Sequence, residues 1–217
     1  MNSWSRFRLA LVTLAASAVP AQAQLNAPRA VQLSGGPLVF AVRQGSDVEA
    51  ISRTGTWWGA FGTLGVGRIT ACLLGMTGTL VGASTVLTEN VRETVLSASY
   101  RLLPWLELGL EGEVVRLKSD LGTTLWRLYG ARAGVTERLG FGDLAGRADL
   151  AVYPVTGVVA ARRLRRPVRA EVGLVWTAPT WPVEMQLAYR VESIDFVDTN
   201  DLRLAGLMVS VAVRLGR

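Results

Sequence analysis

Histidine is absent from this chain, Cys72 is the only cysteine, and Lys118 is the only lysine among 23 basic residues. Without histidine, neither a Ser-His or Cys-His nucleophile pair nor a histidine metal ligand can be built. One cysteine makes no internal disulfide, so covalent staples do not hold the fold. Charge is sparse as well: charged residues are 18% of the sequence against 50% hydrophobic, with a formal net charge of +6. Such a chain has a great deal of apolar surface to place and few ionisable groups with which to do chemistry.

What is present begins with a segment of export type. Arg6 and Arg8 precede an apolar core from Leu9 to Val19, and Pro20 precedes Ala21-Gln22-Ala23, a small-x-small cleavage pattern. Residues 1–23 are expected to be a signal peptide cut before Gln24, leaving 194 residues of the 217 and lowering the charge from +6 to +4. That length suits one domain. Residues 24–36 have no clear period and read as a lead; residues 37–217 carry the repeating pattern.

The pattern has a period of two. In residues 91–118, Leu96, Ala98, Tyr100 and Leu102 alternate with Val95, Ser97, Ser99 and Arg101. After Leu103-Pro104-Trp105, Leu106, Leu108, Leu110 and Val114 alternate with Glu107, Glu111 and Glu113. A two-residue period is a strand, and proline, lacking a donor, belongs in the connection. Similar strands are predicted at 38–43, 123–137, 144–153, 168–178, 183–192 and 207–215. In the first, Leu38, Phe40 and Val42 are assigned outward and Val39, Ala41 and Arg43 inward.

Residues 56–86 are apolar on both faces and rich in glycine. Strands at about 57–66 and 68–80, joined near Gly67, fit the surrounding alternation. A transmembrane helix over ITACLLGMTGTLVGASTVLT, residues 69–88, is the alternative, since no charge occurs between Arg68 and Glu89 and ~20 apolar residues suffice to span a bilayer.

Ten strands result, with eight or twelve if that segment folds otherwise. Runs of roughly ten residues match the ~9 to 11 that a tilted strand needs to cross a membrane. Connections near 67, 104, 140 and 180 are tight, whereas those at 44–55, 81–90, 156–167 and 195–201 are longer, the habit of antiparallel up-and-down transmembrane β-barrels. Trp57, Trp58, Trp126 and Tyr153 fall toward the longer loops and Tyr100, Trp105, Trp176 and Trp181 toward the short turns, as two interfacial girdles would.

With this signal peptide, the YRLLPWLELGL turn and the alternating last strand, the chain resembles the small outer-membrane β-barrel proteins of Gram-negative bacteria. The resemblance implies a bacterial outer-membrane location, contact with outer-membrane lipid including lipopolysaccharide, and insertion by barrel assembly machinery, as a monomer. One departure is the ending Leu215-Gly216-Arg217, where such proteins usually carry an aromatic residue.

Inward positions collect the charge. Arg43, Arg101, Arg132, Arg147, Arg169, Arg190 and Arg214 are expected to face Glu107, Glu111, Glu113, Asp149, Glu171, Glu184 and Glu192 in the lumen. Balanced charges in a narrow barrel favour paired networks, hence a plugged structural or loop-presenting barrel that is no enzyme. A narrow passive pore lined by the same residues is the alternative. A third class is a histidine-free enzyme on lipid or peptide using Glu107, Glu111 and Glu113.

Two loops add candidates. Arg162, Arg163, Arg165 and Arg166 suit an anion such as a lipopolysaccharide phosphate, because guanidinium pairs bidentately with phosphate. Asp195, Asp198, Asn200 and Asp201 have a loose calcium-ligand spacing, but lack the glycine and closing glutamate of a calcium loop, so no metal or other cofactor is expected. Nucleic-acid binding is not expected, since the arginines are largely inward.

Overall fold

The computed structural model describes residues 31–46, 52–82, 88–119, 122–140, 142–159, 164–196 and 202–215. The expected signal peptide and the acidic 198–201 cluster lie outside them. Alternating segments punctuated by glycine and proline form ten strands: β1 Val31–Ser46, β2 Arg53–Val66, β3 Ile69–Gly82, β4 Thr88–Leu103, β5 Leu106–Ser119, β6 Gly122–Arg138, β7 Leu144–Val159, β8 Leu164–Thr177, β9 Val183–Phe196 and β10 Leu202–Leu215. Each pairs antiparallel with its sequence neighbours, and β1 pairs with β10, which closes the barrel. Closure leaves no unpaired edge, as a hydrocarbon surrounding requires.

Residues 69–82 of the segment expected to be either strand or helix are strand. β3 is hydrogen-bonded along its length to β2 on one side and β4 on the other, through the Gly67 turn (φ 62°). Its apolar character on both faces has a simple cause: Leu73 and Val81 face outward, while Met76 and Leu80 are buried inside.

Short turns close one end. Pro104 and Trp105 join β4 to β5, Gly140 and Gly142 adopt φ of 71° and 60° between β6 and β7, and Ala178 donates to the Val183 carbonyl (2.9 Å) between β8 and β9. Positive φ costs glycine nothing, which is why it recurs there. Gly130 has another task. A Cβ there would lie 2.0 Å from the Val152 carbonyl oxygen, and the β6–β7 register shifts between Tyr129 and Ala131. Glycine thus lets the two strands approach where the wall bends.

Three expectations need correction. β1 starts at Val31, so residues 31–36 belong to the wall and not to a lead. The side opposite the short turns is also more fully strand than expected: β7 runs to Val159 and β8 begins at Leu164, shortening the 156–167 loop. Finally, β1 is turned the other way, with Leu38, Phe40 and Val42 buried in the interior and Val39 and Arg43 exposed outside.

The outer surface is an apolar band. Leu110 (72% exposed), Leu96, Leu73, Leu187, Val172 and Val209 show their side chains to the surroundings. Burying such a surface in lipid, not water, resolves what would be a large exposed apolar patch.

Candidate functional site: the barrel lumen

The lumen has three layers, set by which inward residue each strand offers at each height. The loop-side layer is apolar. Phe40 from β1, Trp57 from β2, Leu80 from β3, Val91 from β4, Val115 from β5 and Leu128 from β6 pack into one cluster, joined by Tyr153, Ile194 and Met208. Phe40 and Trp57 meet edge to face, with centroids 5.5 Å apart and planes at 83°. Ten strands leave an interior narrow enough for side chains of this size to fill. Trp57, Trp126 and Tyr153 therefore belong to this plug and not to an interfacial girdle; Trp58, 69% exposed, is the outward one.

Beneath the plug lies a layer of buried ions. Arg190 from β9 reaches Glu93 (2.7 Å), Glu192 (3.2 Å) and Glu113 (3.7 Å). Arg169 from β8 pairs with Glu113 (3.0 Å) and with Glu111. The Tyr153 hydroxyl contacts Glu113 (2.8 Å) and Glu111; with one proton, it donates to one carboxylate at a time. Arg190 also lies against the Phe40 ring, 5.6 Å from its centroid, linking the ions to the plug above.

Carboxylate oxygens of Glu93, Glu113 and Glu192 come within 4.8 Å of one another, which is close enough to chelate a metal. The Arg190 guanidinium already lies within ion-pair range of all three, so it serves as their cation. The price of this arrangement is visible: Glu93 Oε2, Glu113 Oε1, Glu192 Oε1 and Arg190 Nε are buried without a hydrogen-bond partner. Removing ions from water is costly, and such a layer persists only where pairing offsets the cost.

The turn-side layer is a vestibule of about 270 Å³, lined by polar side chains and by Leu38, Phe61 and Leu74, whose floor is the ion layer. Arg132 donates to Asp149 (2.6 and 3.0 Å) and to Ser97 (3.2 Å), and Arg147 donates to Asp149 (2.6 Å). Gln186 donates to Glu171 (2.9 Å). Nearer the mouth the contacts loosen, to 3.4 Å for Arg101–Glu107 and 3.9 Å for Arg214–Glu184.

Of the expected network, only Arg43 is misplaced: it is exposed on the outer face, where its Nε donates to Ser52 (2.9 Å). It caps an otherwise inverted strand, so its charge alone misassigned the face. Glu93 was missed although it continues the Val95, Ser97, Ser99 face by one step, and the Arg53–Glu89 pair (2.5 Å) at the loop-side end was missed too. In the basic run, Arg165 and Arg166 lie in strand β8, while Arg162 and Arg163 fall outside the described residues. Arg165 and Arg166 are thus part of the wall and not of a loop.

No protein family matches this sequence, and no curated protein does. Among solved structures, the outer membrane protease OmpT from Escherichia coli is similar at 8% identity, over 90% of this chain and 99% of that chain, with a TM-score of 0.53. Neisserial surface protein A matches at 11% identity over 84% and 96%, with a TM-score of 0.43. At such identity only the fold is shared. The chain is an antiparallel up-and-down β-barrel of the transmembrane, outer-membrane type.

Proposed function

We propose that this protein is a non-conducting barrel of a bacterial outer membrane, exported by cleavage of residues 1–23, that serves as a membrane scaffold presenting its loop-side connections. The observation that carries this is the apolar plug: Phe40, Trp57, Leu80, Leu128, Tyr153 and Ile194 are each almost wholly buried and belong to one packed cluster inside the barrel. A solute entering the vestibule meets first the ion layer and then a packed apolar core, where hydration is lost and nothing replaces it.

A structural role for the acids is supported by their pairing. Glu107 sits with Arg101, and Glu111 and Glu113 with Arg169, so each carboxylate proposed as a catalytic alternative is engaged by a guanidinium. The proposed partners are outer-membrane lipid, including lipopolysaccharide, and barrel assembly machinery during insertion, for a monomer with no nucleic acid. Vesicles loaded with a self-quenched anionic dye test this reading. Inserted protein is expected to leave the dye trapped, whereas release at the rate given by a porin of known conductance would overturn it.

A further inference from the structure

Outward-facing charge is unevenly spread over this barrel. Arg92 on β4, Arg116 and Lys118 on β5 and Arg127 on β6 are all exposed on the outer face, toward the loop-side ends of their strands. Arg92 stands directly opposite Arg116, Lys118 opposite Asn90, and Arg127 opposite Val114. At about 4.8 Å between strands and 3.4 Å per residue, the four Cα atoms fall within roughly 15 Å, Lys118 and Arg127 being the farthest apart.

Like charges set directly across a strand pair repel, so this cluster weakens the wall unless an anion joins it. Among the described residues none supplies one: the neighbouring acid Glu89 is turned inward and bound to Arg53 (2.5 Å), and no carboxylate faces outward on this side. Thr77, Asn90, Arg92, Arg116 and Lys118 instead line a concavity of about 440 Å³, roomier than the ~30 Å³ of a single water.

The surroundings say what kind of anion fits. Leu73, Leu96 and Leu110 continue the same outer face toward the barrel's middle as part of the apolar band. Trp58 shares the register row of Thr77 and Arg92, and an outward indole there suits the boundary between headgroups and hydrocarbon. An amphiphile with its phosphates above and its chains below would satisfy both.

The geometry points to a binding site for the phosphorylated headgroup of an outer-leaflet glycolipid of the lipopolysaccharide class, held by Arg92, Arg116, Lys118 and Arg127. The site rests on the membrane placement proposed above. Guanidinium is suited to bidentate phosphate contacts, and four cations spread over this distance match two phosphate groups better than one. The basic run at 162–166 is not needed for it.

Native mass spectrometry of the full mature protein in mild detergent tests the site, with bis-phosphorylated lipid A, its dephosphorylated form and phosphatidylglycerol as probes. The expected result is a single lipid A adduct that falls at least about tenfold in an R92Q/R116Q double variant, as loss of two charge-assisted donors requires. The dephosphorylated probe should fall equally, while R138Q, at the short-turn end, should change nothing. An undiminished adduct in the double variant, or equal retention of phosphatidylglycerol, would overturn the site. A heat-dependent gel shift establishes that the variant is folded; should it not be, K118Q and R127Q replace it, each expected to lose about threefold. Protein that folds yet does not partition into vesicles would instead refute the membrane placement, and the lipid site with it.

Discussion

The two ends of the lumen are built from different materials. On the loop side, Phe40, Trp57, Leu80 and Leu128 are packed out of reach of water, and the ions beneath them are held within about 3 Å of their partners in most contacts. On the turn side, the same strands offer Ser97, Ser99, Arg101, Glu107 and Glu184 to an open vestibule, and the outermost pairs relax to 3.4 and 3.9 Å. An ion pair against an apolar wall cannot exchange its partner for water, so it must be well made. A pair at an aqueous mouth can, and need not be. The seal therefore belongs to one end of the barrel, and substitutions at the two ends should have very different costs.

The largest difference is expected at Arg190. Arg190→Met would strand Glu93 and Glu192, leaving Glu113 to Arg169, and cost roughly 3–5 kcal/mol, read from urea unfolding in lipid vesicles. A loss below about 1 kcal/mol would mean that water reaches the layer and that the plug is not dry. Leu128→Ala removes a fully buried side chain from the plug and should cost about 2–5 kcal/mol, by the same measurement. Gly59→Ala probes the wall around the plug: its Cβ would lie 1.9 Å from the Gly75 carbonyl oxygen and 2.8 Å from Met76 Cα, so a loss of about 1–3 kcal/mol and a lower gel-shift temperature are expected. Arg101→Gln, at the mouth, should cost less than about 1 kcal/mol, because that pair is half exposed and screened. A cost matching that of Arg190→Met would erase the distinction between the two ends.

The same contrast explains what could be read from the sequence. Where one face meets lipid and the other meets the polar vestibule, alternation has a sign: Leu96, Ala98 and Tyr100 against Ser97, Ser99 and Arg101 place β4 correctly, and the last strand follows suit. Where the inner face joins the plug, both faces are apolar. Leu38, Phe40 and Val42 differ from Val39 and Ala41 only in size, so the period of two survives but inside and outside become indistinguishable. Arg43 was then the sole cue, and it pointed the wrong way, because outward cations are tolerated at the loop-side end of a strand. Trp57, Trp126 and Tyr153 suffered the same ambiguity: an aromatic near a strand end fits a girdle as well as a plug, and only the partners across the barrel decide.

Pairing was legible in outline alone. Charge balance predicted that guanidinium and carboxylate would meet, and most of the residues named did so. It could not say who meets whom, because contacts such as Arg190–Glu93 join strands far apart in sequence and depend on barrel radius and stagger. Glu93 is harder to read because it precedes the apolar alternation that starts at Val95 and Leu96.

Single-channel recording in a planar bilayer bears most directly on the seal. The wild-type mature protein, shown by its heat-dependent gel shift to be folded and by protection from protease to be inserted, should give no steps, while a Phe40→Ala/Trp57→Ala variant, with the edge-to-face pair removed, should give small salt-dependent ones. Steady steps from the wild type would contradict the account, making the ion layer and the vestibule the lining of a pore.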